Sequence, residues 1–277
     1  MFIWLHYSMN INDLYIEHLA GLNLVKLREK YNLKRGYLEY HFKKLNLPVK
    51  KFNRKYKVNH TFFSIIDSEL KAYLLGFFAA DGSVNKDGRI SICISEKDSY
   101  IINLFRESIC KEKIENKIIN LKGAKNRQPQ LTWRINSPTI IKDLEKFGIK
   151  NKKTYLELSM KDLDFNYRIH FLRGFFDGDG HVRKNRFEAV IVSATKNILN
   201  EFIEVLDVLN IKSKITIDNK GLFRMVIYGK INLSNFFKYV FKDSTYFLNR
   251  KYLRLEEIYK LVNSEVTTSI TKGEVAP

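Results

Sequence analysis

The chain has 277 residues, 45% of them hydrophobic and 13% aromatic, with four prolines; such a composition buries a sizeable core and excludes wholesale disorder. Forty-eight Lys and Arg against 30 Asp and Glu give a formal net charge of +18, which favours a polyanionic partner because each neutralised phosphate releases condensed counterions. No stretch approaches the ~20 apolar residues that span a bilayer, residues 1–9 lack the marks of a signal peptide, and Cys93 and Cys110 are too few for a disulfide framework or a cysteine zinc site; no membrane partner and an intracellular, non-secreted setting are expected.

Residues 1–60 carry twelve Lys and Arg and four acids, or +8 of the total charge. The pattern predicts short helices over residues 14–19, 25–31 and 35–45, the last two joined by a turn at Asn32, Leu33 and Lys34. Leu24, Leu27, Tyr31, Leu38, Phe42 and Leu45 recur at helical spacing and are the expected shared core. Two helices across a tight turn, the second bearing outward Arg35, Glu39, His41, Lys43 and Lys44, resemble a helix-turn-helix that reads a major groove. The following run, residues 50–57 with Lys55, is a basic linker suited to a phosphate backbone. A small helical bundle that only packs on the rest of the chain is the competing reading.

The remainder repeats itself. YLLGFFAADG at 73–82 returns as FLRGFFDGDG at 171–180, an offset of 98 at Gly76/Gly174, Asp81/Asp179 and Gly82/Gly180. The same offset relates ICIS at 92–95 to VIVS at 190–193, while residues 131–136 and 223–228 are offset by 92. Each unit reads helix, two strands, helix, two strands, helix. The expected domains are residues 1–60, a first repeat at 61–160, a second at 161–260, and a frayed tail at 261–277.

Each repeated segment is an apolar helix stopped by Asp-Gly, with Gly82 and Gly180 in the role of left-handed closing residues. Gly76 and Ala80, like Gly174 and Gly178, lie four apart on one face, and small residues at that spacing let two backbones approach. Packed along those faces, the helices bring Asp81 and Asp179 side by side at two C-termini. That is a costly arrangement, since helix C-termini are themselves partly negative. Mg²⁺ held by carboxylates would relieve it, and such an ion activates water and stabilises the leaving oxygen of a phosphodiester.

These two segments resemble the paired signatures of LAGLIDADG homing endonucleases, and the likeness in repeat order covers roughly residues 65–255. The resemblance implies an α+β monomer in which two tandem αββαββα repeats form a pseudo-twofold saddle over double-stranded DNA, making a staggered cut that leaves 3′ overhangs at a long site. It implies Asp81 and Asp179 as metal ligands, aided by the backbone of Ala80 and Gly178, with Mg²⁺ or Mn²⁺ as the ion. A lysine near the end of each repeat is implied as a catalytic aid, here Lys153 (preferred to Lys152) and Lys251; a phosphate-gripping basic loop is the alternative. The acid common at the sixth motif position is kept as Asp177 and replaced by Ala79 in the first copy.

A saddle needs strands with one apolar and one polar face. Gln128, Gln130, Thr132, Arg134 and Asn136 alternate with Leu131, Trp133 and Ile135. Arg89, Ser91 and Cys93 alternate with Ile90, Ile92 and Ile94, and Lys212, Lys214, Thr216 and Asp218 alternate with Ile211, Ile215 and Ile217. Arg183, Lys184, Arg186 and Arg224 add cationic candidates for DNA contact. Residues 187–193 alternate poorly and carry no assigned contacts. The fold equally suits an RNA-splicing maturase, with the chain's own intron RNA as partner, or a DNA-binding regulator that does not cut.

Overall fold

The computed structural model describes residues 10–49, 57–85, 88–110, 117–119, 129–151, 157–183, 185–219 and 221–271. The chain divides into two compact units, residues 1–56 and 57–277. In the first, Asn10 and Asn23 cap α1 (Ile11–Leu19) and α2 (Leu24–Lys30) by accepting from backbone amides, and α3 spans Tyr37–Lys44. Leu14, Leu27, Leu38 and Phe42 form its core, with Leu24 and Tyr31 packed around them. Leu45, expected inside, is 49% exposed because α3 ends at Lys44. Arg35 precedes α3 rather than riding on it, since Gly36 at φ 87° starts the helix.

The second unit runs α4 (Glu69–Asp81), β1 (Gly82–Val84), β2 (Arg89–Ser95), α5 (Ser99–Ile109), β3 (Lys117–Ile119), β4 (Gln130–Asn136), α6 (Pro138–Glu145) and then repeats as α7 (Phe165–Asp179), β5 (Gly180–Arg183), β6 (Glu188–Ser193), α8 (Lys196–Val208), β7 (Ser213–Ile217), β8 (Phe223–Tyr228), α9 (Lys230–Phe236). This is αββαββα twice. Each repeat makes one antiparallel sheet with the same order, β1-β2-β4-β3 and β5-β6-β8-β7. A π-helical turn, Phe237–Phe241, leads toward α10 (Asn249–Thr271).

Helices α4 and α7 are buried along nearly their whole central stretch, α4 because it is apolar all round there and α7 with Arg173 and Asp177 enclosed among its apolar residues. Their Leu and Phe side chains fill the cores under both sheets, with Trp133 and Phe105 in the first and Phe176, Phe202 and Phe236 in the second. Each such side chain, fully buried, contributes about 1.5–3 kcal/mol.

The sheets correct one alignment. Gly82 pairs with Ile92, but Gly180 pairs with Ile191, so β6 is shifted by one residue from the offset of 98. Ile92 therefore corresponds to Ile191, and Val190 turns to the other face; a one-residue slip exchanges the faces of a whole strand. The first part of the expected frayed tail is helical: α10 continues to Thr271, and Lys230 pairs with Glu265 at 2.7 Å; residues 272–277 lie outside the described residues. Among the described residues no helix is long and apolar enough to cross a membrane.

Candidate functional site

The two motif helices meet through glycine. A methyl group on Gly76 would stand 2.0 Å from the Phe171 carbonyl oxygen, and one on Gly174 would stand 2.0 Å from the Tyr73 carbonyl oxygen. Tyr73 and Phe171 are themselves equivalent in the repeat, so the contact is the same from either side. Farther along, a methyl on Gly178 would lie 2.4 Å from Ala80 Cβ and 3.3 Å from an Asp81 carboxylate oxygen. The small-residue faces therefore do what their spacing predicts, and they carry Asp81 and Asp179 to the same end of the helix pair.

Gly82 and Gly180 serve otherwise than expected. Both are extended, at φ −69° and −85°, not left-handed. A Cβ on Gly82 would fall 2.4 Å from the Phe78 carbonyl oxygen and 2.5 Å from its ring, and one on Gly180 would fall 2.4 Å from the Phe176 ring and 2.5 Å from its carbonyl oxygen. Glycine is required by the carbonyl and ring of the phenylalanine four residues earlier, where each helix end passes into β1 or β5.

Asp81 is half-buried and Asp179 exposed. A cleft of about 260 Å³ opens beside Asp179, lined by Ala79, Ala80, Phe175, Val192 and Ser193 among others. Among the described residues no group of three or more His, Cys, Asp or Glu side chains converges. A cation here would rest on two carboxylates, the helix-end carbonyls of Ala80 and Gly178, and water or phosphate oxygens. All are hard oxygen donors with few protein carboxylates, which is the donor set Mg²⁺ takes; the residues fit the ion.

Lys251, in the first turn of α10, reaches this helix end. It is buried, and its ammonium donates to the carbonyls of Phe176 and Asp177 at 2.6 Å each and approaches that of Gly178 at 3.5 Å. It thus neutralises the negative end of α7. Burial pulls its pKa down to about 8, against the opposing fields of Asp177, Asp81 and Asp179. Its counterpart Lys153, with Lys152, lies outside the described residues.

One polar network escaped the sequence reading. Asp177 Oδ2 accepts from Tyr73 Oη at 2.8 Å and from the Leu248 amide at 2.7 Å, so it tethers α4 and the start of α10 to α7. Burial pushes its carboxyl up to about 6, and Oδ1 finds no partner among the described residues. Arg173, 1% exposed, donates to the carbonyls of Tyr246 and Val240 and to Glu69. The available signal was Arg173 itself: a guanidinium inside an apolar helix requires partners.

The candidate DNA contacts divide. Arg89 and Arg134 are exposed on one face of the first sheet, with Gln130 half-buried beside them. Thr132 shares that face but is 7% exposed, enclosed in an interior strand with its hydroxyl donating to Cys93 Sγ at 3.4 Å, so the expectation of an outward Thr132 is corrected. Lys212, Lys214 and Thr216 are exposed and Arg224 is half-buried. Ile217, expected inside, is 66% exposed because edge strand β7 ends beyond the core. Asp218 closes the β7–β8 turn by accepting from the Leu222 amide. Arg183 pairs with Glu188 at 3.0 Å, and Arg186 is exposed in the intervening turn. In the first unit Arg35, Lys43 and Lys44 are exposed. Lys55, Gln128 and Lys184 lie outside the described residues.

Comparison with known proteins agrees with this architecture. Residues 166–240 match the LAGLIDADG-like domain family and residues 70–127 match the WhiA LAGLIDADG-like domain. An uncharacterised protein of Methanocaldococcus jannaschii is 26% identical over 191 residues, and the replication factor C small subunit of the same organism is 25% identical over 175. These stretches cover 68% and 61% of this chain, but only 64% and 9% of the respective relatives. The homing endonuclease I-WcaI bound to its DNA recognition sequence superposes with a TM-score of 0.50 at 16% identity, over 89% of this chain and 97% of that one. Full-length WhiA from Thermatoga maritima gives 0.45 at 16% identity, over 78% and 69%. The chain thus carries two LAGLIDADG-type domains in tandem.

Proposed function

We propose that the chain is a sequence-specific, divalent-metal-dependent endonuclease of double-stranded DNA that leaves 3′ overhangs at a long site. The observation that carries this reading is the reciprocal glycine contact, which delivers one aspartate from each repeat to a shared helix end. Two carboxylates at two helix C-termini have no structural benefit of their own. They gain one if Asp81, Asp179 and the carbonyls of Ala80 and Gly178 hold Mg²⁺, or Mn²⁺ in its place. The bound ion supplies Lewis acidity toward a phosphodiester and makes water a better nucleophile.

The chain's own groups set the stage. Asp81 and Asp179 fix where the scissile phosphates rest, one under each repeat. Lys251 offsets negative charge at the end of α7 while its donors face backbone carbonyls, so its part is charge compensation more than proton transfer. The exposed faces of the two sheets meet the DNA, and the net charge of +18 draws it in. The N-terminal unit extends the footprint as a helix-turn-helix, with α3 as its reading helix.

A second reading is a DNA-binding protein on the same scaffold that does not cut. The WhiA likeness of residues 70–127, a branch with non-catalytic members, favours it. Exposure of a randomised double-stranded library to the protein in Mg²⁺, with Ca²⁺ as a binding-only control, separates the two. Recovery of one long motif with 3′-overhanging cut ends supports the endonuclease. Enrichment by binding with no cut ends in any divalent metal supports the regulator.

A further inference from the structure

The two sheets share a frame but not a surface. Matching strands by their pairing to the motif glycines places Ser91 against Val190, Arg89 against Glu188 and Cys93 against Val192. The next strand matches Arg134 with Val226 and Asn136 with Tyr228. The centre of the first sheet thus presents the cross-strand pair Ser91–Arg134, and the centre of the second presents Val190–Val226.

Those pairs differ in chemistry. Arg134, Arg89 and Asn136 are exposed donors; Arg pairs with guanine and Asn with adenine through two hydrogen bonds at the major-groove edge. Val190 and Val226 are 0% and 8% exposed and carry no polar side-chain atom. They offer a base edge neither a donor nor an acceptor and almost no accessible surface. Where the first sheet has Arg89, the second has an acid, Glu188, already joined to Arg183 at 3.0 Å. The outward Lys212 and Lys214 are point charges on flexible stems, with the Lys214 ammonium 5.2 Å from the centre of the Tyr228 ring; such groups hold phosphate rather than read bases, and Arg224, a half-buried guanidinium on the same face, lies off the centre, opposite Val192.

Resting on the proposal that these faces meet DNA, we infer that the two repeats divide the labour of recognition. The first specifies base sequence by hydrogen bonding. The second anchors mainly by charge and leaves the middle of its half-site degenerate.

The test is selection of bound sequences from a randomised double-stranded library in Ca²⁺, which reads binding independently of cutting. Wild-type protein, Arg134→Ala and Lys214→Ala are compared, with thermal melts confirming that these surface variants fold. Wild type should show one strongly and one weakly specified half-site. Arg134→Ala should lose discrimination at a position in the strong half, on the order of 5- to 150-fold, without altering the weak half. Lys214→Ala should weaken all selected sequences alike and reduce the salt dependence by about one phosphate contact. Two equally specified half-sites, or preferences unmoved by Arg134→Ala, would overturn the division of labour while leaving DNA binding intact. Enrichment of no sequence at all would overturn the DNA reading and this inference with it.

Discussion

Helices α4 and α7 meet through the same contacts read from either side, whereas almost everything attached to them differs. Gly76 lies on Phe171 and Gly174 on Tyr73, yet Leu75 stands where the other copy has Arg173, and Ala79 where it has Asp177. The second helix supplies Arg173 and Asp177, whose buried polar network reaches Glu69 and Tyr73 on the first helix and the start of α10; the remaining contacts of the first are apolar. The sheets diverge likewise, polar on the first open face and valine-centred on the second. The contact that joins the acids is symmetric because backbone spacing leaves it no freedom. The surroundings diverge because each can be satisfied locally.

The symmetric part should be the most fragile. Gly76→Ala and Gly174→Ala each press a methyl onto backbone, so both should lose about 4 kcal/mol or more in denaturant unfolding. A cost under 1 kcal/mol in either would break the claim of reciprocal packing. The asymmetric part is sharpened by a matched pair. Arg173→Met strands Glu69 and two carbonyls, and should cost about 3–5 kcal/mol. Leu75→Met, at the equivalent position, conserves volume and should cost below about 1.5 kcal/mol.

A gentler asymmetry is pH-dependent. Burial and the nearby Arg173 push His170 down to about 4, with Glu69 opposing, while the matching residue in α4 is Ala72. The folded chain favours neutral imidazole, so the unfolded chain binds the extra proton between about 6.5 and 4. Stability is thus lost as pH falls through that window. The melting temperature of wild type should drop further from pH 7 to 4.5 than that of His170→Gln; parallel profiles would remove His170 from the comparison. The smallest effect is expected of Arg183→Ala. Its pair with Glu188 is half-exposed, so stability should change by under about 1 kcal/mol, while salt-dependent DNA affinity falls as the carboxylate is uncovered.

Much of this frame was legible in sequence, for a physical reason. Small residues four apart beside a helix-stopping Asp-Gly have few causes, and two copies in register have fewer. The αββαββα order followed from strand and helix periods in each copy. What stayed hidden lay where the pattern lacks phase. Residues 189–192 are apolar on both faces, so nothing in their alternation shows the one-residue shift that turns the buried Val190 to the other face of the sheet. Gly82 and Gly180 are required, but by the carbonyl and ring of the preceding phenylalanine rather than by a positive φ. Thr132 and Ile217 depend on which strands lie inside and at the edge of a sheet. Asp177 gains its partners, Tyr73 and Leu248, from positions 104 and 71 residues away.

The direct measurement is cleavage of a selected target by wild type, Asp81→Asn and Asp179→Asn in Mg²⁺, with binding followed in Ca²⁺. The prediction is double-strand cutting by wild type, a loss on the order of a thousandfold in each variant, and retained binding in all three. Wild-type cutting by either variant would contradict the pairing of Asp81 with Asp179 as the catalytic centre.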